Sequence, residues 1–238
     1  VIHRAGTKLV NWYLLEEAGR VTIVDAGCPG YRPQLEDALA RIGRGIGDVE
    51  AIVLTHAHLD HVGFSQKLQD ERGVPVHAHE GEVPQATTGK PPKAEGSLLP
   101  ALLRHRRGRQ MVFHIVRNGG ARPPKVAQVE PFGDGDVLDV PGHPTVIHTP
   151  GHSPGHCVLH VPTEGSAFVG DALCGWSTMT GEPGPILAPR EFNNSTELAL
   201  ASLERIEGID AQTLYFGHGD PWAGGAAAAV AEARSRSR

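Results

Sequence analysis

Thr55-His56-Ala57-His58-Leu59-Asp60-His61 packs three imidazoles and one carboxylate into residues 56–61. The stretch follows the apolar run Ala51-Ile52-Val53-Leu54, which reads as a short buried strand. Neutral imidazole and carboxylate are the ligands that borderline divalent metals such as zinc prefer. His56 and His58 are two apart, so in an extended segment they point the same way. Asp60 and His61 fall where the chain turns into the next helix and can face a second point nearby. One strand end can thus serve two ions side by side. The ordinary alternative is a polar loop rich in histidine, and four ligand-type side chains in six positions weigh against it.

Ligand-type residues recur beyond other predicted strands. Thr145-Val146-Ile147-His148 leads into Thr149-Pro150-Gly151-His152-Ser153-Pro154-Gly155-His156, where paired Pro-Gly steps force a tight loop that lifts His152 from the sheet end. Cys157–Val161 and Ser166–Val169 read as a hairpin around Thr163-Glu164-Gly165, and Gly170-Asp171 closes it. Thr213-Leu214-Tyr215-Phe216 ends in Gly217-His218-Gly219.

These motifs resemble those of the metallo-β-lactamase-fold hydrolases. His56 to His61 matches their H-x-H-x-D-H signature, and residues 149–156 resemble the second metal motif of the glyoxalase II branch. Gly170-Asp171 matches the family's G-D step, and His218 its last ligand. The resemblance spans almost the whole chain. It implies an α/β fold, an αββα sandwich of two mixed sheets flanked by helices, in one domain over 1–238 with a lid or insert at 81–126. It also implies that His56, His58 and His152 bind one metal, Asp60, His61 and His218 a second, and that Asp171 bridges them. Two zinc ions are expected, with iron or manganese as alternatives, and Asp60 is the expected catalytic residue. In the family an aspartate at the position of Asp25 supports the metal loop, although an Asp before Gly at a strand end reads by itself as a turn former. His156 corresponds to a structural position, donating hydrogen bonds within its loop. The extra helical domain with which glyoxalase II binds glutathione is not expected in a chain of this length.

Other residues weigh less. His77 and His79 imitate the spacing of His56 and His58, but no carboxylate–histidine pair follows, so they read as sheet-end histidines, one of them near the pocket. His148 and His160 read as structural and Cys174 as packing. Tyr215 could hold a substrate carbonyl, but as a strand residue it reads as core. Arg104-His105-Arg106-Arg107-Gly108-Arg109 is the one dense basic run. Such a run is ordinarily a solvated helix face, and the sharper alternative is that it greets a CoA- or carrier-protein-linked substrate.

Strand–helix alternation completes the pattern. Leu9–Leu15 and Val21–Asp25 read as strands, Gln34–Ile42 as a helix, Ala51–Leu54 as a strand, Val62–Glu71 as a helix and Val74–His79 as a strand. Helices are expected over Ser97–Val116, from a capping box at Asn194-Ser195-Thr196-Glu197 to Glu207, and over Ala226–Arg234. Asp136–Val140 is expected to be a strand.

Composition narrows the rest. The 238 residues include 30 Gly and 19 Pro, which suit many turns between short strands. A formal charge of -5 offers no footprint for nucleic acid. Three cysteines (Cys28, Cys157, Cys174) indicate no disulfide framework. With no bilayer-length apolar run and no signal-peptide core, a soluble cytoplasmic protein without a membrane partner is expected. The expected function is hydrolysis of a thioester, ester or lactone on a small molecule by metal-activated water. Relatives that cleave β-lactams usually carry Cys or Ser at the place of Asp171, and nuclease relatives usually add a second domain. Phosphodiester or β-lactam hydrolysis is therefore the weaker alternative. Persulfide dioxygenases of this fold use one iron on the equivalents of His56, His152 and Asp171, which leaves an oxidoreductase open. A regulatory or carrier-binding protein with a vestigial site is the remaining alternative.

Overall fold

Period-two burial sorts the strand side chains into layers. In the computed structural model, which describes residues 1–236, β1 (Ile2–Gly6), β2 (Asn11–Glu17), β3 (Arg20–Val24), β4 (Val49–Val53), β5 (Val76–His79) and β6 (Glu130–Phe132) form one sheet in that order. β1 to β3 pair antiparallel and β3 to β6 parallel. The parallel steps are crossed by α1 (Gln34–Arg41), then by α2 (Leu59–Val62) and α3 (Ser65–Arg72), and last by α4 (Val83–Thr88), α5 (Leu98–Arg104) and α6 (Arg106–Ile115). β7 (Thr145–His148), β8 (Cys157–Val161), β9 (Ser166–Gly170) and β12 (Thr213–Phe216) form a second sheet in the order β12-β9-β8-β7. β10 (Cys174–Trp176) and β11 (Pro183–Ile186) make a separate hairpin, before α7 (Thr196–Glu207). α8 (Ala226–Arg236) follows β12.

Tyr13, Leu15, Ala51 and Val53 face the second sheet and meet Val146, Leu159, Val161 and Phe168 between the two. Their neighbours Trp12, Leu14, Ile52 and Leu54 face the other way, onto Leu35 and Leu39 of α1 and Leu68 of α3. Behind the second sheet, Val158, Val169, Leu214 and Phe216 pack on Leu203 and Ile206 of α7 and on Ala229 and Val230 of α8. Each fully buried Leu, Ile or Phe contributes roughly 1.5–3 kcal/mol. The result is the expected αββα sandwich of two mixed sheets.

Several elements differ from expectation. Asp136–Val140 is not a strand, and only Val137 bridges to Thr145. Leu138 and Val140 still enter the inter-sheet core, but Pro141 and Pro144 remove ladder donors and Asp136 Oδ2 folds back onto the Gly133 N–H at 2.7 Å. The helix expected over Ser97–Val116 breaks at His105, which is extended at φ -113° and ψ 110°. The break turns α6 back so that Gly108 meets the Met179 sulfur, where an added Cβ would sit 2.6 Å away. Val62–Glu71 is likewise divided at Gly63, whose φ of +37° and closeness to the Gly27 carbonyl admit no side chain. Ser195, not Asn194, caps α7, accepting from the Leu198 N–H at 3.2 Å. β1, β6, β10 and β11 were not anticipated; β6 and β10 are three residues each, too short for a periodic signal. Among the described residues no helix is long and apolar enough to cross a membrane.

Candidate metal centre

β7, β9 and β12 run the same way, so residues 149–156, Asp171 and His218 leave the second sheet at one edge. The loop after β4 in the first sheet meets them there, with the Cys157 N–H donating to the Thr55 carbonyl at 2.9 Å. All seven expected ligands come together at this edge. His58 Nδ1 lies 2.8 Å from His152 Nε2 and 3.1 Å from His56 Nε2. Asp171 Oδ2 lies 2.9 Å from His218 Nε2 and 3.6 Å from His152 Nε2, and its Oδ1 lies 3.5 Å from His61 Nε2. Asp60 Oδ2 is 3.7 Å from His218 Nε2. Three sets have ligand atoms within 4.8 Å of one another: His56, His58, His152; Asp60, His61, His218; and His56, His61, Asp171. Asp171 thus touches both histidine groups.

The outward nitrogens of four of the five rings are held in place. His61 Nδ1 faces Asp25 Oδ2 at 2.8 Å, His152 Nδ1 faces Asn193 Oδ1 at 3.1 Å, and His218 Nδ1 donates to the Leu9 carbonyl. His56 Nδ1 lies 3.1 Å from Thr55 Oγ1. Anchoring the outer nitrogen fixes the tautomer and turns the inner lone pair toward the centre, as in metal-ligating histidines. His61 Nε2 and Asp171 Oδ1 are buried with no hydrogen-bond partner. Buried orphans of this kind are costly unless an ion completes them. The donor set fits a pair of divalent metals.

Asp25 reaches the loop through a backbone at φ 58°, a left-handed conformation that Asp tolerates better than most residues. Its carboxylate accepts from the Thr55 N–H at 2.8 Å as well as holding His61. The supporting role therefore holds, and the turn-former reading is incomplete. His156 also supports, but not only as a donor. Burial lowers its pKa to about 3. Its neutral Nε2 accepts from the Asp171 N–H at 3.1 Å, so Nδ1 carries the proton and donates to Thr149 Oγ1 at 2.9 Å.

Two partners escaped the sequence reading. Asn193 is fully buried and positions His152. Glu82, 1% exposed, accepts from the Ala57 N–H at 2.6 Å with one oxygen and from the Gly155 N–H at 2.7 Å with the other, tying the two ligand loops together. Neither residue lies in a motif.

The remaining histidines lie outside the cluster. His79 stacks on His148 with centroids 4.2 Å apart, and neither it nor His77 lines the cavity beside the cluster. Tyr215 packs between Tyr13 and Phe168. Cys174 is buried, and burial together with the charges of Asp171 and Asp60 raises its thiol well above the ordinary range.

Protonation separates the two histidine groups. Burial holds His56 and His152 well below the ordinary imidazole pKa, so both are neutral at pH 7. Burial opposes charge on His61 too, but Asp25 and Asp171 outweigh it and hold its pKa well above normal. For His218, Asp171 and Asp60 outweigh burial in the same sense. Metal entering beside His61 and His218 must displace protons, whereas His56 and His152 have none to lose. Lowering pH from 8 to 6 is therefore expected to empty the Asp60-His61-His218 position first. Metal content after dialysis at stepped pH checks this. Loss of both ions together would refute it.

A cavity of about 320 Å³ opens on the cluster, bordered by His58, Asp60, His152, Asp171 and His218. Comparison with known proteins gives the family. The profile of the Metallo-beta-lactamase superfamily matches residues 5–218. The probable metallo-hydrolase YflN of Bacillus subtilis is 28% identical over 94% of this chain and 85% of its own length. A hydroxyacylglutathione hydrolase of Rhizobium meliloti is 28% identical over 84% of this chain, which spans only 58% of that enzyme. The solved protein TTHA1623, in a di-iron-bound form, is 27% identical and superposes with a TM-score of 0.61 over 94% of each chain. The protein is a member of the metallo-beta-lactamase superfamily.

Proposed function

We propose that the protein is a hydrolase that uses two divalent ions, zinc first, to cleave a thioester, ester or lactone. The observation that carries the reading is the cluster itself: two groups of buried ligands touching one carboxylate, with a cavity opening on it. His56, His58 and His152 would hold one ion, Asp60, His61 and His218 the other, and Asp171 would serve both. When bound, such ions supply Lewis acidity and lower the pKa of water from ~15.7 towards neutrality.

The chain's own groups do the rest. Asp60 borders the cavity and is placed to orient the attacking water and to carry its proton toward the leaving group. Asp25, Asn193 and the Leu9 carbonyl keep three imidazoles turned inward. The mainly apolar walls lower the local dielectric, which strengthens charge interactions beside them. Likeness to a hydroxyacylglutathione hydrolase supports a thioester substrate, and the di-iron relative supports iron as the alternative metal.

The test is metal analysis of protein purified without added metal, together with turnover of thioester and lactone panels. Close to two zinc ions with hydrolysis is the expected result. One iron with oxygen uptake on a persulfide would replace the hydrolase reading with an oxidoreductase one.

A further inference from the structure

The cavity that meets the metal cluster has a mainly apolar wall. Leu98 of α5, Met111, Val112 and Ile115 of α6, Leu59 and Phe192 supply its apolar surface. Among the described residues no Lys or Arg lines it, and Glu191 is its one charged group outside the ligand cluster. The arginines of these helices turn away. Arg104, Arg106, Arg107 and Arg109 are exposed, and Arg109 donates to the Leu102 carbonyl at the end of α5 at 2.7 Å. Lys90, Lys93 and Lys125 are exposed as well.

Two lining residues each bury a polar atom that has no hydrogen-bond partner. Gln85 gives its Nε2 to the Ala57 carbonyl at 2.8 Å, which leaves its buried Oε1 free, and the buried Thr178 hydroxyl also has no partner. Neither carries charge. At about 320 Å³ the space is at the small end for ligand sites, which begin near ~300 Å³.

Resting on the hydrolase reading, we propose that this cavity takes an uncharged, mainly apolar acyl group of short to medium length and rejects acyl groups ending in a carboxylate or phosphate. An apolar chain gains from leaving water along α5 and α6. With the acyl carbonyl at the metal cluster, a terminal anion at the other end of the chain would be desolvated against apolar wall, with no Lys or Arg lining the cavity to meet it and Glu191 as the one other charged group. The leaving group lies outside this constraint, so a CoA or carrier thiol is compatible with it.

The test uses metal-loaded protein and N-acetylcysteamine thioesters, whose leaving group is neutral. Acetyl, butanoyl and hexanoyl form a length series, and adipoyl matches hexanoyl in length with a terminal carboxylate. kcat/KM is expected to rise up to roughly fourfold per added methylene and to fall at least about tenfold from hexanoyl to adipoyl. Val112→Lys, a half-buried position on the wall, should shift the hexanoyl-to-adipoyl ratio toward adipoyl by about tenfold. Calorimetry with hexanamide and adipamate reads the cavity without turnover. Tighter hexanamide binding with no thioester or lactone cleaved would retire the hydrolase reading and leave the selectivity standing. Turnover with equal or better use of adipoyl, and equal adipamate binding, would overturn the selectivity and leave the hydrolase.

Discussion

Replacing Asp171 with alanine is expected to leave at most one metal per chain and to lower kcat/KM by about 10³-fold or more, the scale of losing a principal electrostatic element of a site. Asp171 is the group shared by both halves of the cluster: Oδ2 lies 2.9 Å from His218 Nε2 and 3.6 Å from His152 Nε2, while Oδ1 faces His61. Burial alone would raise its pKa, but His218 and His61 hold it well below the usual carboxylate range, so it is an anion at neutral pH. Its removal would take away the negative charge that offsets the two metal cations of the proposed centre in a buried space. The surroundings are built for this side chain. Its N–H is held by His156 Nε2, and Gly217 stands so near that an added Cβ would lie 2.1 Å from Oδ1. Metal analysis and kinetics on the same preparation check the expectation. Two retained ions with turnover within tenfold of wild type would remove Asp171 from the centre.

The sandwich and the cluster were legible because both are written locally. Ala51–Leu54 followed at once by His56 to His61 carries strand, turn and ligand types within eleven residues of chain, and the Pro-Gly steps around His152 announce their loop. What could not be read was support from a distance. Glu82 serves residues 57 and 155, and Asn193 serves His152 from 41 positions away. A carboxylate that accepts two backbone N–H groups looks, in sequence, like any acidic turn residue. The basic run at 104–109 was legible only in part. Its arginines are exposed, as the ordinary reading of a solvated helix face expects, but the break at His105 and the contact of Gly108 with Met179 also put Leu98, Met111 and Val112 on the cavity, which composition did not signal.

Glu82 is the residue on which the largest stability effect is expected. Its two oxygens hold the Ala57 N–H at 2.6 Å and the Gly155 N–H at 2.7 Å, one in each ligand loop, in a site that is 1% exposed. Close packing leaves no room for a substitute. A Cβ on Gly155 would lie 2.7 Å from the Glu82 backbone nitrogen, and Gly81 and Gly155 approach backbone to backbone. Glu82→Ala strands two buried donors, each costing roughly 1–3 kcal/mol, and adds a cavity, for a total of about 3–5 kcal/mol. In a chain of this size that is a fall in Tm of roughly 10 °C. Glu82→Gln keeps the volume but sets an amide NH2 against one of the two N–H donors, so it separates shape from charge. It should fold, lose about half that stability, and bind metal roughly 10- to 100-fold more weakly, as ligands freed from their supports do. Thermal unfolding of the metal-free protein and competition against a chelator measure the two effects independently. If Glu82→Gln melts within a degree of wild type and holds metal as tightly, the brace between the loops is idle, and the alignment of His58 with His152 must come from the sheet edge alone.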